Sequence, residues 1–437
     1  MKDLLPKVAF VLSVGALGFV YGFATEAWDL FPRSHVERAW RQARSFGTSS
    51  SKHFLHDRVY DQSGTRTVDA EATQPGLTLL TSWWKEEDAW TMQARLIDRE
   101  GAVHHKWTLA GDSLFAESRR MQPYIHGTHL FSDGDLMLNV EYGGTVRLDA
   151  CGDIQWQLPE RGHHSIEQDS EGHFWIPGLS PERRRGSERY PDGYPGLNLV
   201  WAEPIMNVSA EGEVLDKINV LDVLYENGLQ RHFVKTGSYR GDVTHMNDAE
   251  PLSPSMADEY PLFDAGDLLV SLRNIDLVFV VDPETREVKW STSDPFHSQH
   301  DPDFVGNGWI GVFDNARDFN GGEMLGGSRI VGLRPHTGEE EVWFPAETSD
   351  RFYTPAGGKW QQLENGNMLL VEARAGRVVE VDSTGRTVWE WVKDAEGRSQ
   401  VAEVLGGTRH DLTPEEVDAW SCASGTVAEA SKSRNSK

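Results

Sequence analysis

Cysteine is scarce: Cys151 and Cys422 are the only two in 437 residues. At most one bridge is available, and in an oxidising compartment it would tie the C-terminal end to an early part of the fold; two unpaired thiols are the alternative. Basic residues are also short, 42 Lys and Arg against 68 Asp and Glu, for a net charge of −26. That balance excludes a general nucleic-acid or anionic-lipid binder, because such partners are held by Lys and Arg neutralising phosphates. Any anionic ligand must meet a local positive site. The chain also lacks a Gly-rich phosphate loop and a nucleophile-elbow serine, and past residue 48 nothing has the spacing of a long helix.

One long apolar run is present, Val8–Ala24, without a charge and preceded by Lys2 and Lys7, with Glu26 and Asp29 after it. Its 17 residues fall between a signal-peptide core and a short membrane span. We expect residues 1–30 to be a single-pass anchor with a cytoplasmic N-terminus, or else a cleaved signal. In both cases the rest of the chain lies on the periplasmic or extracellular side. Val36, Ala39, Trp40 and Ala43 then give segment 34–48 the spacing of an amphipathic helix. Residues 31–75 read as this helix and a connector, 76–410 as the main domain and 411–437 as a polar tail.

What the chain has in abundance is glycine (42) and tryptophan (16). A unit recurs: a Gly turn, an apolar strand, a second strand ending in Asp, a tight turn, and a strand ending in Trp. Clear copies lie at 134–156, 266–290, 308–343 and 366–391, and weaker ones at 89–107 and 172–220. Strands repeating every ~40–60 residues are the pattern of propeller blades, which bury both faces only against neighbours. The expected fold is all-β, a six-bladed β-propeller, with Trp107, Trp156, Trp290, Trp343 and Trp389 packed between blades.

Eight positions before the opening glycines Gly134, Gly172 and Gly308 stand His126, His164 and His300. The last repeat has Gly358 there, and in the fourth an insertion intervenes and His245 takes the corresponding strand start. First strands line a propeller's channel, so four imidazoles converge on one cavity. Imidazole near neutral pH is a nucleophile and base, and imidazolium a double donor to an anion. Arg273 and Arg374 stand at matching ends of the following strands, suited to a tetrahedral oxyanion. Two alternatives stay open: a His-ligated metal site with Asp248, Asp301 or Asp303 as carboxylate ligands, and a non-catalytic propeller that binds an anionic glycan or a partner protein. Asp318–Glu323 reads as a solvated loop rather than a calcium loop.

The ordered series "HHSIEQDSEGHFWIPG", "DVTHMNDAEPL", "SLRNIDLVFVVD" and "QHDPDFVGNGWIGVFDNA" resembles the arylsulfate sulfotransferase family over nearly all of 120–395. The resemblance implies a six-bladed propeller that moves a sulfuryl group from a phenolic sulfate ester to a phenol. It implies a sulfated histidine, no phosphoadenosine donor, no cofactor and no metal. His300 would be the nucleophile, His245 and Asn247 would bind and polarise the transferred group, Arg273 would stabilise its charge, and His164 would complete the cage. His126, His163 and Arg374 would be further substrate contacts.

Overall fold

The computed structural model describes residues 4–28, 53–87, 89–109, 115, 124–234 and 239–420. The chain divides into two units, Met1–Leu55 and His56–Lys437. In the first, Leu4–Trp28 form a 25-residue helix. Among the described residues, no helix is long and apolar enough to cross a membrane. The expected membrane-spanning helix is therefore not supported. The expected helix at 34–48 lies outside the described residues.

Among the described residues the second unit holds eight sheets: six antiparallel sheets of four or five strands, counted below in chain order, one of three strands, and a parallel pair, Leu197–Val200 with Tyr239–Gly241. The second to fifth each take four strands in chain order, for example Met246–Pro251, Leu268–Leu272, Leu277–Val281 and Val288–Thr292 in the fourth. The two middle strands there are buried throughout, and the outermost is half-buried along its length. Such continuous apolar runs follow from having both faces covered. Met137 packs with Phe174 and Met206, joining the second sheet to the third. Ile205 and Ile218 meet Leu268 and Phe279 between the third and fourth. Leu269 and Val280 meet Phe304 and Val312, and Phe313 and Ile330 meet Leu370 and Val379. Leu369 and Val378 of the sixth sheet then pack on Leu80 and Val404 of the first. This neighbour-to-neighbour packing, running from the second sheet through the sixth to the first, makes the all-β unit propeller-like.

Two features of the closure departed from expectation. The innermost strand of the first sheet is Val404–His410, from the far end of the chain, paired with Leu77–Glu86 from Leu77↔His410 onward. In addition, Gly64–Thr67, expected as connector, adds a fifth strand to the sixth sheet through Thr67↔Trp389. The expected polar tail also begins as structure. Pro414–Asp418 form a helix closed by a capping box between Thr413 and Glu416, and the Trp420 indole packs edge-on to His105 and tilted against Trp107. Cys151 is disulfide-bonded; the expected pairing with Cys422 falls outside the described residues.

Trp107, Trp156, Trp290 and Trp343 sit on outermost strands and Trp389 on the strand covered by Gly64–Thr67; Trp107 and Trp389 are fully buried and Trp156, Trp290 and Trp343 half-buried. Three indoles donate to a turn of the next sheet: Trp107 to the Asp149 carbonyl (3.2 Å), Trp156 to Ala210 (2.9 Å) and Trp389 to Arg99 (2.8 Å). A buried indole N–H needs such an acceptor.

Candidate active site

The site lies at one end of the channel, where innermost strands begin. His164 and His245 both adopt left-handed backbone (φ 56° and 49°) just before their strands, and Asp301 does so directly after His300 (φ 49°). That conformation disfavours side chains and persists where surrounding structure imposes it. Gly127 makes one close approach possible: a Cβ there would lie 1.9 Å from the His164 carbonyl oxygen. Ring centroids are 4.6 Å apart for His126 and His164, 5.1 Å for His164 and His245, and 6.3 Å for His164 and His300. The four imidazoles aligned by the repeat thus come together.

Hydrogen bonding behind the rings decides their tautomers. His300 Nδ1 faces two acceptors, Asn315 Oδ1 at 2.6 Å and the Ser298 carbonyl at 3.1 Å, so it carries the proton. Asn315 cannot flip, since its Nδ2 donates to the carbonyls of Thr354 (2.8 Å) and Gly357 (2.7 Å). His245 Nδ1 donates to Asp242 Oδ2. His163 Nε2 donates to the Gly178 carbonyl (3.2 Å), which leaves its Nδ1 to accept from His164 Nδ1 at 2.9 Å. In His164, His245 and His300 the unprotonated nitrogen is therefore Nε2. Burial, and then the neighbouring His126 ring and Arg273 guanidinium respectively, push His164 and His300 well below the usual histidine range. Burial also lowers His245, against the upward pull of Asp242, and burial with His245 nearby takes His163 down to about 3.

These rings line a cavity of about 220 Å³ with Arg273, Arg374, Tyr124, Glu141 and Glu403. The two arginines occupy equivalent turns, Arg273–Ile275 after the second strand of the fourth sheet and Ala373–Ala375 after that of the sixth, each closed by a left-handed residue, Asp276 or Gly376. Among the described residues, the Arg273 guanidinium donates only to Asn274 Oδ1, at 3.2 and 3.4 Å, which leaves most of its donors for a ligand. The pocket is less cationic than the sequence suggested. Glu141 lies 3.9 Å from His126 Nε2, and Glu403 is held by His56 Nε2 at 2.9 Å. His163 is buried behind His164 and does not line the cavity.

Asn247, expected to contact the transferred group beside His245, does not line that cavity. It lines a smaller cavity of about 30 Å³ deeper in the channel with His126, His164, His300, Asp301 and Lys359. Its Nδ2 donates to the Gln299 carbonyl (2.7 Å), and its buried Oδ1 has no partner. Deeper still, alternate residues of the inner strands place Glu167, Asp248, Glu250, Asp301 and Asp303 near one another. Asp301 is bound by Lys359 (2.8 Å) and by the Trp360 amide (2.8 Å). Burial and mutual repulsion raise Asp248, Glu250 and Asp303 well above the usual range. Burial, opposed by Lys359, leaves Glu167 at about 7. Among the described residues no three His, Cys, Asp or Glu are grouped to hold a metal ion. Asp318 accepts from four amides of its own loop, Asn320, Gly322, Met324 and Leu325.

Asp242, Asn315, Glu141 and Glu403 escaped the sequence reading. Asp242 three residues before His245, in "GDVTH", was the one local signal; the other three reach the site through turns and closure.

Among solved structures, a protein of unknown function from Bacteroides caccae is 15% identical, covering 76% of this chain and 98% of its own, with a TM-score of 0.47. A streptogramin B lyase is 11% identical over 76% of this chain and 88% of its own (TM-score 0.41). The WD40 propeller domain of Doa1 is 10% identical over 80% and 93% (TM-score 0.37). Comparison with curated proteins yields no match. The profile of the arylsulfotransferase (ASST) family matches residues 128–394, which span the strands carrying His164, His245, Arg273 and His300. The match takes in well over half of the sequence, and the chain belongs to the arylsulfotransferase family.

Proposed function

We propose that the protein transfers a sulfuryl group from an aryl sulfate to a phenol-type acceptor through a sulfated His300, with no phosphoadenosine donor and no cofactor. The observation that carries this reading is that three clustered imidazoles have Nδ1 committed to protein partners and Nε2 free, beside an arginine with open donors. Sulfuryl transfer, like phosphoryl transfer, asks mainly for in-line positioning and for cationic donors on the equatorial oxygens. His300 Nε2 supplies the nucleophile, and Arg273 and Arg374 the donors. A covalent intermediate lets donor and acceptor use the 220 Å³ cavity in turn.

The test is incubation with 4-nitrophenyl sulfate and phenol, followed by intact-protein mass. The expected result is turnover and a gain of one sulfuryl group on His300, both lost in His300→Ala and both insensitive to chelators. A pocket that binds the ester without turnover or mass gain would favour a non-catalytic anion-binding propeller. We also propose an oxidising, extracytoplasmic location, supported by the bonded Cys151. Quantitative labelling of Cys151 by a thiol reagent in protein taken from its native compartment would overturn that.

A further inference from the structure

We propose that two residues behind the imidazoles divide the chemistry between them: Asp242 makes His245 the proton carrier, and the neutral amide of Asn315 keeps His300 the nucleophile. The inference rests on the aryl sulfate reading above. His245 and His300 are alike in being buried rings at strand starts with Nδ1–H donated and Nε2 free. They differ in the charge of the acceptor. A carboxylate stabilises the imidazolium formed when Nε2 takes a proton; an amide oxygen orients the ring and offers no comparable stabilisation.

The surroundings reinforce the difference. The groups facing His245 are Asp242, Glu141, Arg273, His163, His164 and His300, of which the two carboxylates favour a proton on it. Around His300, Arg273, His245 and His126 oppose protonation, and only the neutral Asn315 hydrogen bond favours it. Glu203 braces the carrier, accepting from Thr244 Oγ1 and from the Met246 amide at 3.1 Å, the residues on either side of His245. Burial and the nearby Asp242 charge raise Glu203 to about 8, so Asp242 is the member of that carboxylate pair that stays ionised against the ring.

The steps balance. A sulfate ester binds with its own negative charge favouring a proton on His245 Nε2. His300 Nε2 forms a bond to sulfur as the sulfur–aryl oxygen bond breaks, and the departing oxygen keeps the electron pair and takes the proton from His245. The acceptor hydroxyl then gives its proton to His245 Nε2 while its oxygen bonds to sulfur. The nitrogen–sulfur bond breaks, and its pair returns to His300 Nε2. Throughout, the His300 Nδ1–H stays on Asn315.

The test compares release of phenol from phenyl sulfate and of the more acidic nitrophenol from 4-nitrophenyl sulfate by rapid mixing, with sulfo-enzyme followed by mass. Asp242→Asn should slow the burst with phenyl sulfate by ~10²-fold or more, the scale of a lost general acid. It should slow the nitrophenyl ester only several-fold, because nitrophenolate leaves without a proton. Sulfo-enzyme made from that ester should then persist, since transfer to phenol has lost its base. Asn315→Ala should slow both esters alike, and Asp242→Glu should restore the leaving-group pattern if it melts as the native protein does. Equal slowing of both esters by Asp242→Asn, with sulfo-enzyme still forming in the native protein, would overturn the division of roles alone. No sulfo-enzyme in the native protein would overturn the functional reading and this proposal together.

Discussion

At the scale of single residues, the site is made by what stands behind each ring. Arg273 has few protein partners and faces the cavity, so its expected contribution is to charge on the transferring group. Arg273→Ala should lower kcat/KM for an aryl sulfate by ~10²–10³-fold, as for loss of one preorganised oxyanion donor. Arg273→Lys should recover part of this, because a point charge replaces a planar fork. Steady-state kinetics on both variants checks it. Lys359 is the counter-charge to Asp301, and Lys359→Met leaves that carboxylate partly buried and unpaired. Loss of about 3 kcal/mol in denaturant unfolding is expected. The histidines were legible in sequence because the repeat aligns them. Asn247 lies past a register shift between Met246 and Asp248 and lines the smaller cavity with His300, a placement that spacing alone does not give.

At the scale of elements, the repeat tryptophan Trp343 and its neighbour Trp360 are fitted against glycines inside the strands, which the repeat did not mark. A Cβ on Gly332 would lie 2.2 Å from the Trp343 ring, and one on Gly311 2.1 Å from the Trp360 ring. Gly332→Ala should therefore cost about 1–3 kcal/mol through overpacking, read as a lower denaturation midpoint with an unchanged slope. Trp389→Phe keeps most of the apolar volume but loses the bond to the Arg99 carbonyl; about 1 kcal/mol is expected. Strand existence followed from alternation and turn chemistry in the sequence. The outer pairing of Gly64–Thr67 did not, because four polar or small residues carry no strand signal until Thr67 finds Trp389.

For the whole molecule, two properties depend on the closed ring. The first is closure itself: removing Val404–His410 leaves Leu77–Glu86 as an open inner edge and strips Val404 from the contact with the sixth sheet. A chain ending before residue 404 should unfold non-cooperatively or aggregate, measured by calorimetry and light scattering. The second is pH. Glu167 at about 7 and Glu203 at about 8 are raised by burial from the ordinary glutamate range, and Asp248, Glu250 and Asp303 are raised well above theirs. Acids raised in the folded state hold more protons there than in the unfolded chain. Their stabilising effect is complete below the unfolded value and is lost as pH rises through the folded one. The melting temperature should thus fall as pH rises from the ordinary glutamate value of 4.5 toward about 8, and Glu203→Gln should flatten part of that fall.

Composition and periodicity were enough to establish an all-β repeat fold, the interfacial place of the tryptophans, and the shared height of four histidines, because these are local patterns multiplied by repetition. They could not establish which nitrogen of each imidazole is free. That depends on Asn315, fifteen residues beyond His300, on Asp242 in a loop before His245, and on the Gly178 carbonyl behind His163. Nor could they find Glu403, which reaches the cavity only because the last strand returns to the first sheet. Proton placement on a histidine is set by the partner that three-dimensional closure puts behind it, and no spacing along the chain encodes that partner.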